Sequence, residues 1–150
     1  MKNQRVLIIG ALVVLAVAAF FFSQKQTKVS DIKVGIILGF TGPIESLTPD
    51  MASGAELAFK EATDSGQLLG GANIIPVRAD STCVDSAAAS TAAEDLIAQG
   101  IVAIMGADCS GVTGAIASNV AVPNGVVMVS PSATSPALTD LDDNGLFFRK

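Results

Sequence analysis

The chain has 150 residues, half of them apolar, and carries 14 acidic against 9 basic side chains. Without Lys2, Arg5 and Lys25 near the N-terminus, six basic residues remain against fourteen acidic ones, a net charge of −8. This balance argues against nucleic acid as a partner, because phosphate binding needs clustered Lys and Arg. The chain also has no histidine, so by itself it cannot form a Ser-His-Asp triad or a typical zinc site. We therefore expect neither an enzyme nor a bound metal or other cofactor.

The N-terminus has the pattern of an export signal. Lys2 and Arg5 form a positive region, and the apolar stretch Val6–Phe22 follows before a polar run. Ala16 and Ala18 are small and spaced as a cleavage site requires. The stretch also reaches the ~17–25 apolar residues of a membrane-spanning helix. No cysteine directly follows it, which excludes a lipoprotein anchor. We expect residues 1–26 to be a signal peptide or an uncleaved inner-membrane anchor, with the rest in the periplasm.

Beyond this segment, apolar strands alternate with helices. Ile32–Leu38 is a continuous apolar run, as expected for a strand buried on both faces. The further predicted elements, in order, are helix Met51–Thr63, strand Ile74–Ala79, helix Ser86–Gln99, strand Val102–Met105, helix Val112–Val120, strand Val126–Val129 and a last strand within Leu146–Lys150. Pro76 places the second strand at an edge, since proline cannot donate to a ladder. This pattern predicts an α/β fold, an open parallel sheet of order 2-1-3-4-5 with helices on both faces.

Polar residues also mark the ends of the predicted helices. Thr48, Pro49 and Asp50 begin the first helix, and Gly66 ends it. Asp85 is placed to cap the second helix, and Gly100 to close it.

Each of the first four strands is followed by a loop rich in hydroxyls and small residues. These loops are residues 39–43, 80–83, 107–111 and 130–136. Open α/β sheets bind ligands at the carboxyl ends of their strands. Helix starts after Ser110 and Ser135 add a positive dipole suited to a carboxylate. In a single loop, Ser, Thr and Pro are explained as well by caps and turns, but four converging loops favour a site for a small polar molecule.

Cys83 and Cys109 are the only cysteines, and each lies in a loop directly after an apolar strand. In one parallel sheet both lie at the carboxyl edge, and exported proteins keep disulfides. We therefore predict a Cys83–Cys109 bond beside the candidate site, with the two loops leaning toward each other over the end of the first strand.

Several of these segments together resemble a known family. The run from Ile32 through Thr41-Gly42-Pro43, the two cysteines and the segment Ser130–Thr139 resemble the N-terminal lobe of the leucine/isoleucine/valine-binding proteins. These are type I periplasmic substrate-binding proteins of ABC transporters. The resemblance implies two α/β lobes that close around an amino acid, with an ABC permease as membrane partner. Residues 30–150 would be an incomplete N-terminal lobe, with the second lobe absent.

The resemblance also implies roles for individual residues. Ser110 matches the serine that binds the ligand carboxylate through its hydroxyl and amide. Thr134 matches the threonine that contacts carboxylate and ammonium, and Ser132 stands where a backbone carbonyl meets the ammonium. Asp108 and Cys109, directly before Ser110, complete the predicted ligand-binding set. On this basis Ser110→Ala should weaken binding less than Thr134→Ala, because Ser110 keeps its amide.

Two positions depart from the family pattern. Leu47 falls where the branched-chain binders have a tyrosine, and Asp108 replaces a hydrophobic residue. Two explanations of Asp108 stand side by side. It lies near the ligand and favours a basic or polar one, or it caps the following helix.

Other classes of function fit less well. Gly35, Gly39 and Gly42 resemble the glycines of a dinucleotide-binding fingerprint, but their spacing is wrong. The fingerprint also needs an acidic residue ~20 residues further on, and Asp80, at the end of the second strand, lies well beyond that distance. A secreted hydrolase would need a general base, and these residues do not supply one. The main alternative is the ligand-binding domain of an extracytoplasmic sensor, because one fold serves many functions. We predict the solute-binding component of an ABC transporter, with a small amino acid or related amide or carboxylate as ligand.

Overall fold

The computed structural model describes residues 30–150, and the predicted signal peptide or anchor lies outside the described residues. The described part forms one parallel sheet of order β2-β1-β3-β4-β5, as predicted. The strands are β1 (Ile32–Leu38), β2 (Ile74–Asp80), β3 (Ile101–Gly106), β4 (Val127–Ser130) and β5 (Phe147–Arg149). The helices are α1 (Thr48–Asp64), α2 (Ser86–Ala98) and α3 (Ser110–Ile116). Within this range no helix is both long and apolar enough to cross a membrane.

The helices cover the two faces of the sheet. Successive side chains of β1 point to opposite faces, so Ile36 and Leu38 pack against α1 through Ala52, while Ile37 belongs to the larger core with α2 and α3. That larger core includes Leu96 of α2. β1 is therefore buried on both sides, which explains its unbroken apolar sequence.

The signals at the helix ends act largely as expected. Asp85 accepts hydrogen bonds from the amides of Ala87 and Ala88 and so caps α2. Gly66 and Gly100 both have positive φ just beyond the ends of α1 and α2. α1 begins at Thr48, three residues before the predicted Met51, because proline is tolerated in the first turn, where its missing N–H has no partner in the helix.

The helical segments next to the predicted site differ from those expected. α3 covers seven residues and continues as a π-helical segment, Ala117–Ala121. The helix expected after Ser135 is a single 3-10 turn, Pro136–Leu138. The prediction of a helix dipole after Ser135 is therefore wrong, because a turn of three residues aligns too few peptide groups to produce one.

The sheet face that carries α1 is only partly covered. Ile36, Met105, Val129 and Phe148 lie in one register row across the sheet. Ile36 is buried beneath α1, but Val129 is 45% exposed and Phe148 is 54% exposed. Within residues 30–150, α1 thus shields one half of this face and leaves apolar side chains of β4 and β5 in contact with solvent.

Candidate ligand-binding site

The loops after β2 and β3 are joined by the predicted disulfide. Cys83 and Cys109 are bonded, with their Cα atoms 5.2 Å apart. The bond lies above the end of β1, because a Cβ placed on Gly39 would be 3.2 Å from the Cβ of Cys83. The two loops therefore lean together over the first strand, and Gly39 leaves room for them.

Asp108 is a buried residue of the carboxyl edge. It is 4% exposed, and its carboxylate accepts hydrogen bonds from the amides of Gly39 and Cys109 and from the Ser81 hydroxyl. The capping explanation is wrong, since Cys109 occupies the N-cap position of α3 and no side chain caps it. The carboxylate instead holds three loops together.

The loop after β4 is fastened to the loop after β3 by serine hydroxyls. Ser132 Oγ donates to the carbonyl of Asp108 at 3.0 Å. Ser130 is fully buried, donates to the carbonyl of Ala107, and accepts from the amide of Ala133 at 3.0 Å. These contacts fix the backbone on which Thr134 is carried.

Ser110 and Thr134, which were predicted to bind the same ligand group, lie next to each other. Ser110 Oγ accepts hydrogen bonds from the amides of Thr134 and Ser135, both at 3.1 Å. A hydroxyl has two acceptor positions and one donor, so both acceptor positions are filled and the proton remains to be donated. The Thr134 side chain is exposed at the same place. The edge therefore carries the partly exposed Ser110 hydroxyl directly beside the exposed residue Thr134.

Asp80 organises the loop after β1, a role that the sequence analysis missed. Its carboxylate accepts from the Thr41 hydroxyl at 2.6 Å and from the amide of Thr82 at 2.8 Å. Burial disfavours its charge, but hydrogen bonds from Thr41 and Thr82 outweigh that effect and lower the pKa of Asp80. These bonds stabilise the fold at neutral pH and are lost as pH falls through the lowered pKa. The sequence did contain a signal for this role, an acidic residue at the end of β2 and a Thr-Gly-Pro loop after the neighbouring strand β1.

Arg149 is a second residue whose role was missed. Its guanidinium donates to the carbonyls of Ala133 and Ser135, at 3.3 and 2.7 Å, and to the Thr139 hydroxyl at 2.8 Å. The last strand thus braces the loop that carries Thr134. The sequence placed Arg149 in a strand but gave no indication of its partners.

A cavity of about 300 Å³ lies beside this edge. Ser110 and Ser135 line it, together with residues of α3 and of the chain around the 3-10 turn: Gly111, Gly114, Ala115, Ser118, Ala137, Leu138 and Leu141. Of the predicted ligand-binding residues only Ser110 lines it. Cys109 is half-buried in the disulfide, whereas Ser132 and Thr134 are exposed at the edge itself.

The chain is similar in sequence and in fold to known binding proteins. The leucine-specific-binding protein of Salmonella typhimurium is 32% identical over 139 residues, which are 93% of this chain and 35% of that protein. The Leu/Ile/Val-binding protein BraC3 of Rhizobium johnstonii is 33% identical over 110 residues, 73% of this chain and 29% of that protein. The chain thus spans about a third of the length of these curated relatives.

A solved structure agrees with this relationship. The substrate-binding protein LivJ of Streptococcus pneumoniae, in complex with isoleucine, matches with a TM-score of 0.70 and 30% identity over 79% of this chain and 33% of that one. A family model described as periplasmic binding protein matches residues 31–149. This relationship places the chain outside the cytoplasm. The chain belongs to the periplasmic binding protein family.

Proposed function

We propose that residues 30–150 form the N-terminal lobe of a two-lobed solute-binding protein of an ABC transporter. The protein captures a small amino acid or a related amide or carboxylate and delivers it to a membrane permease. It is a binding protein, not an enzyme. Residues 1–26 export it to the periplasm, as a cleaved signal peptide or as an inner-membrane anchor. Relatives named for leucine, isoleucine and valine support this proposal.

The observation that carries the proposal is the pairing of Ser110 with Thr134. Two backbone amides occupy the acceptor positions of Ser110 Oγ, which leaves its proton for a ligand oxygen. The exposed Thr134 hydroxyl adds a second donor beside it. A carboxylate matches two converging hydroxyl donors, because hydrogen bonds to a charged acceptor are the stronger kind.

The charged side chains nearby favour a hydroxyl site over a cationic one. Arg78 forms an ion pair with Glu56 of α1, at 2.7 Å. Arg149 donates to the carbonyls of Ala133 and Ser135 and to Thr139. Hydroxyls, and the Ser110 amide that the family resemblance assigns, therefore hold the carboxylate. The Ser132 carbonyl accepts from the ammonium group. Cys109, through its disulfide, and the buried Asp108 hold the surrounding loops in position.

The predicted consequence is a loss of affinity when either hydroxyl is removed. Thr134→Ala should weaken L-leucine binding by about 1.5–3 kcal/mol, the value of a hydrogen bond to a charged group. Ser110→Ala should cost at least as much, because it also leaves the amides of Thr134 and Ser135 without their acceptor. This order is the opposite of the one expected from the sequence alone, and the affinities of the two variants decide between them.

Calorimetry with L-leucine on the protein that carries both lobes measures these losses. Thr91→Ala is the matched control, since Thr91 is an exposed threonine on α2. Melting temperatures of all three variants show whether the fold is intact. Parent-like affinity in both Thr134→Ala and Ser110→Ala would refute the carboxylate site.

A further inference from the structure

We infer that Asp108 is a positioning residue that ties the four loops of the carboxyl edge to one another. It acts on ligand binding through Ser132 and Ser110 and does not touch the ligand. The part of this inference that concerns binding rests on the proposed function. The part that concerns the loops stands on the contacts of residues 30–150 alone.

The carboxylate contacts three of the four loops. Oδ2 accepts from the amide of Gly39 at 2.7 Å, in the loop after β1. Oδ1 accepts from the amide of Cys109 at 2.9 Å, and from the hydroxyl of Ser81, after β2, at 3.3 Å. Ser81 is fully buried. Both carboxylate oxygens are thus engaged beneath the surface, which removes them from direct contact with a solute at the edge.

The backbone of Asp108 reaches the fourth loop. Its carbonyl accepts from the hydroxyl of Ser132 at 3.0 Å, in the loop after β4. Two residues further along each loop, Ser110 Oγ accepts from the amides of Thr134 and Ser135. These two cross-links place Thr134 beside the Ser110 hydroxyl. Asp108 therefore sets the geometry of the hydroxyl pair without being part of it.

A carboxylate suits this position better than its neutral amide. Gly39 and Cys109 each direct an N–H at a different oxygen of the side chain. Asparagine offers one acceptor oxygen and one NH₂ group, so in either orientation an N–H donor would face another donor. Asp108→Asn conserves volume and removes one acceptor together with the charge.

The burial of the charge makes the arrangement cooperative. A buried carboxylate is costly unless hydrogen bonds compensate it, and here donors from three loops do so. If one loop moves away, the charge loses a donor that water cannot easily replace. The assembled edge is therefore favoured before any ligand arrives, and a preorganised site binds more tightly because less ordering is left to be done.

The test compares Asp108→Asn with Asp95→Asn in the full chain. Asp95 is an exposed aspartate on α2, so its variant controls for the same change of charge. Amide hydrogen exchange is measured at Gly39 and Cys109, with Ile104 in the core as the internal reference. We expect exchange of Gly39 or Cys109 to rise about tenfold to a hundredfold in Asp108→Asn, as a lost bond to charge predicts, while Ile104 changes less.

Binding is followed in the same samples by the shifts that L-leucine causes at the amides of Ser110 and Thr134. Asp108→Asn should weaken this binding about tenfold or more, and Asp95→Asn should leave it at the parent value. Ser132→Ala keeps the carboxylate and removes only the link to the fourth loop. It should weaken binding without changing exchange at Gly39, and it provides the test if Asp108→Asn fails to fold.

The outcomes separate the two proposals. Uniform changes at Gly39, Cys109 and Ile104 would overturn the positioning role, because they indicate only a less stable fold. Faster local exchange in Asp108→Asn, together with parent affinity for L-leucine in both Asp108→Asn and Ser132→Ala, would overturn the effect on binding. A parent chain that responds neither to L-leucine nor to other L-amino acids, their amides or simple carboxylates would overturn the proposed function, while the exchange result would still decide whether Asp108 ties the loops.

Discussion

Replacing Cys83 and Cys109 together by alanine is expected to lower the free energy of unfolding by about 3–4 kcal/mol. The disulfide joins residues 26 positions apart. Closing a loop of that length reduces the entropy of the unfolded chain, which is the main source of the stabilisation in the chain-entropy description. In the folded chain the bond also fixes the loops that follow β2 and β3 above Gly39.

Urea unfolding of the parent and of the double variant, each with and without a reducing agent, measures this contribution. The reducing agent should destabilise the parent and leave the double variant unchanged. Two free thiols in denatured, unreduced parent protein would refute the bond, and equal unfolding free energies of parent and double variant would refute its energetic role.

Gly106→Ala is expected to destabilise the chain by about 2–6 kcal/mol. This is the sum of the cost of a side chain in a conformation that favours glycine and the cost of overpacking against the neighbouring strand. Gly106 ends β3 with φ 133°, a conformation that side chains rarely adopt. A Cβ at this position would lie 2.0 Å from the carbonyl oxygen of Ile37 in β1. Relief would require β1 and β3 to separate, and that would displace Ala107 and Asp108 as well.

Gly54→Ala is the matched control for this substitution. Gly54 lies inside α1, and a Cβ there would meet nothing within 4 Å. The same change of residue should therefore stabilise the chain by roughly 0.5–1 kcal/mol, because alanine is the better helix former. Thermal unfolding of both variants gives the comparison, and a Gly106→Ala variant as stable as the parent would contradict the close packing of β1 on β3.

The order of the strands could be predicted because its signals are local. An unbroken apolar run marks the central strand β1, and Pro76 marks β2 as an edge. The predicted ends of the helices were less accurate where packing overrides local preference. The prediction of a helix after Ser135 failed because the serine-proline pair that begins a helix also begins a single 3-10 turn.

The disulfide could also be predicted, because export and two loops at one edge limit the pairing to Cys83 with Cys109. The role of Asp108 could not. It depends on an amide 69 residues away at Gly39 and a hydroxyl 27 residues away at Ser81, and no spacing in the sequence reports such contacts. The acceptor role of Ser110 Oγ toward residues 134 and 135 was hidden for the same reason.

The central claim, a carboxylate held by Ser110 and Thr134, is tested most directly by titrating the ¹⁵N-labelled chain with L-leucine and, separately, with L-leucinamide. Leucinamide keeps the ammonium and the side chain but lacks the negative charge. We expect L-leucine to cause saturable shifts at the amides of Ser110, Thr134 and Ser135. If residues 30–150 are one of two lobes, as we propose, binding should be weak, because a single lobe leaves much of the ligand exposed to water. Leucinamide should cause no comparable shifts, whereas equal responses to both compounds, or none at these residues, would contradict the account.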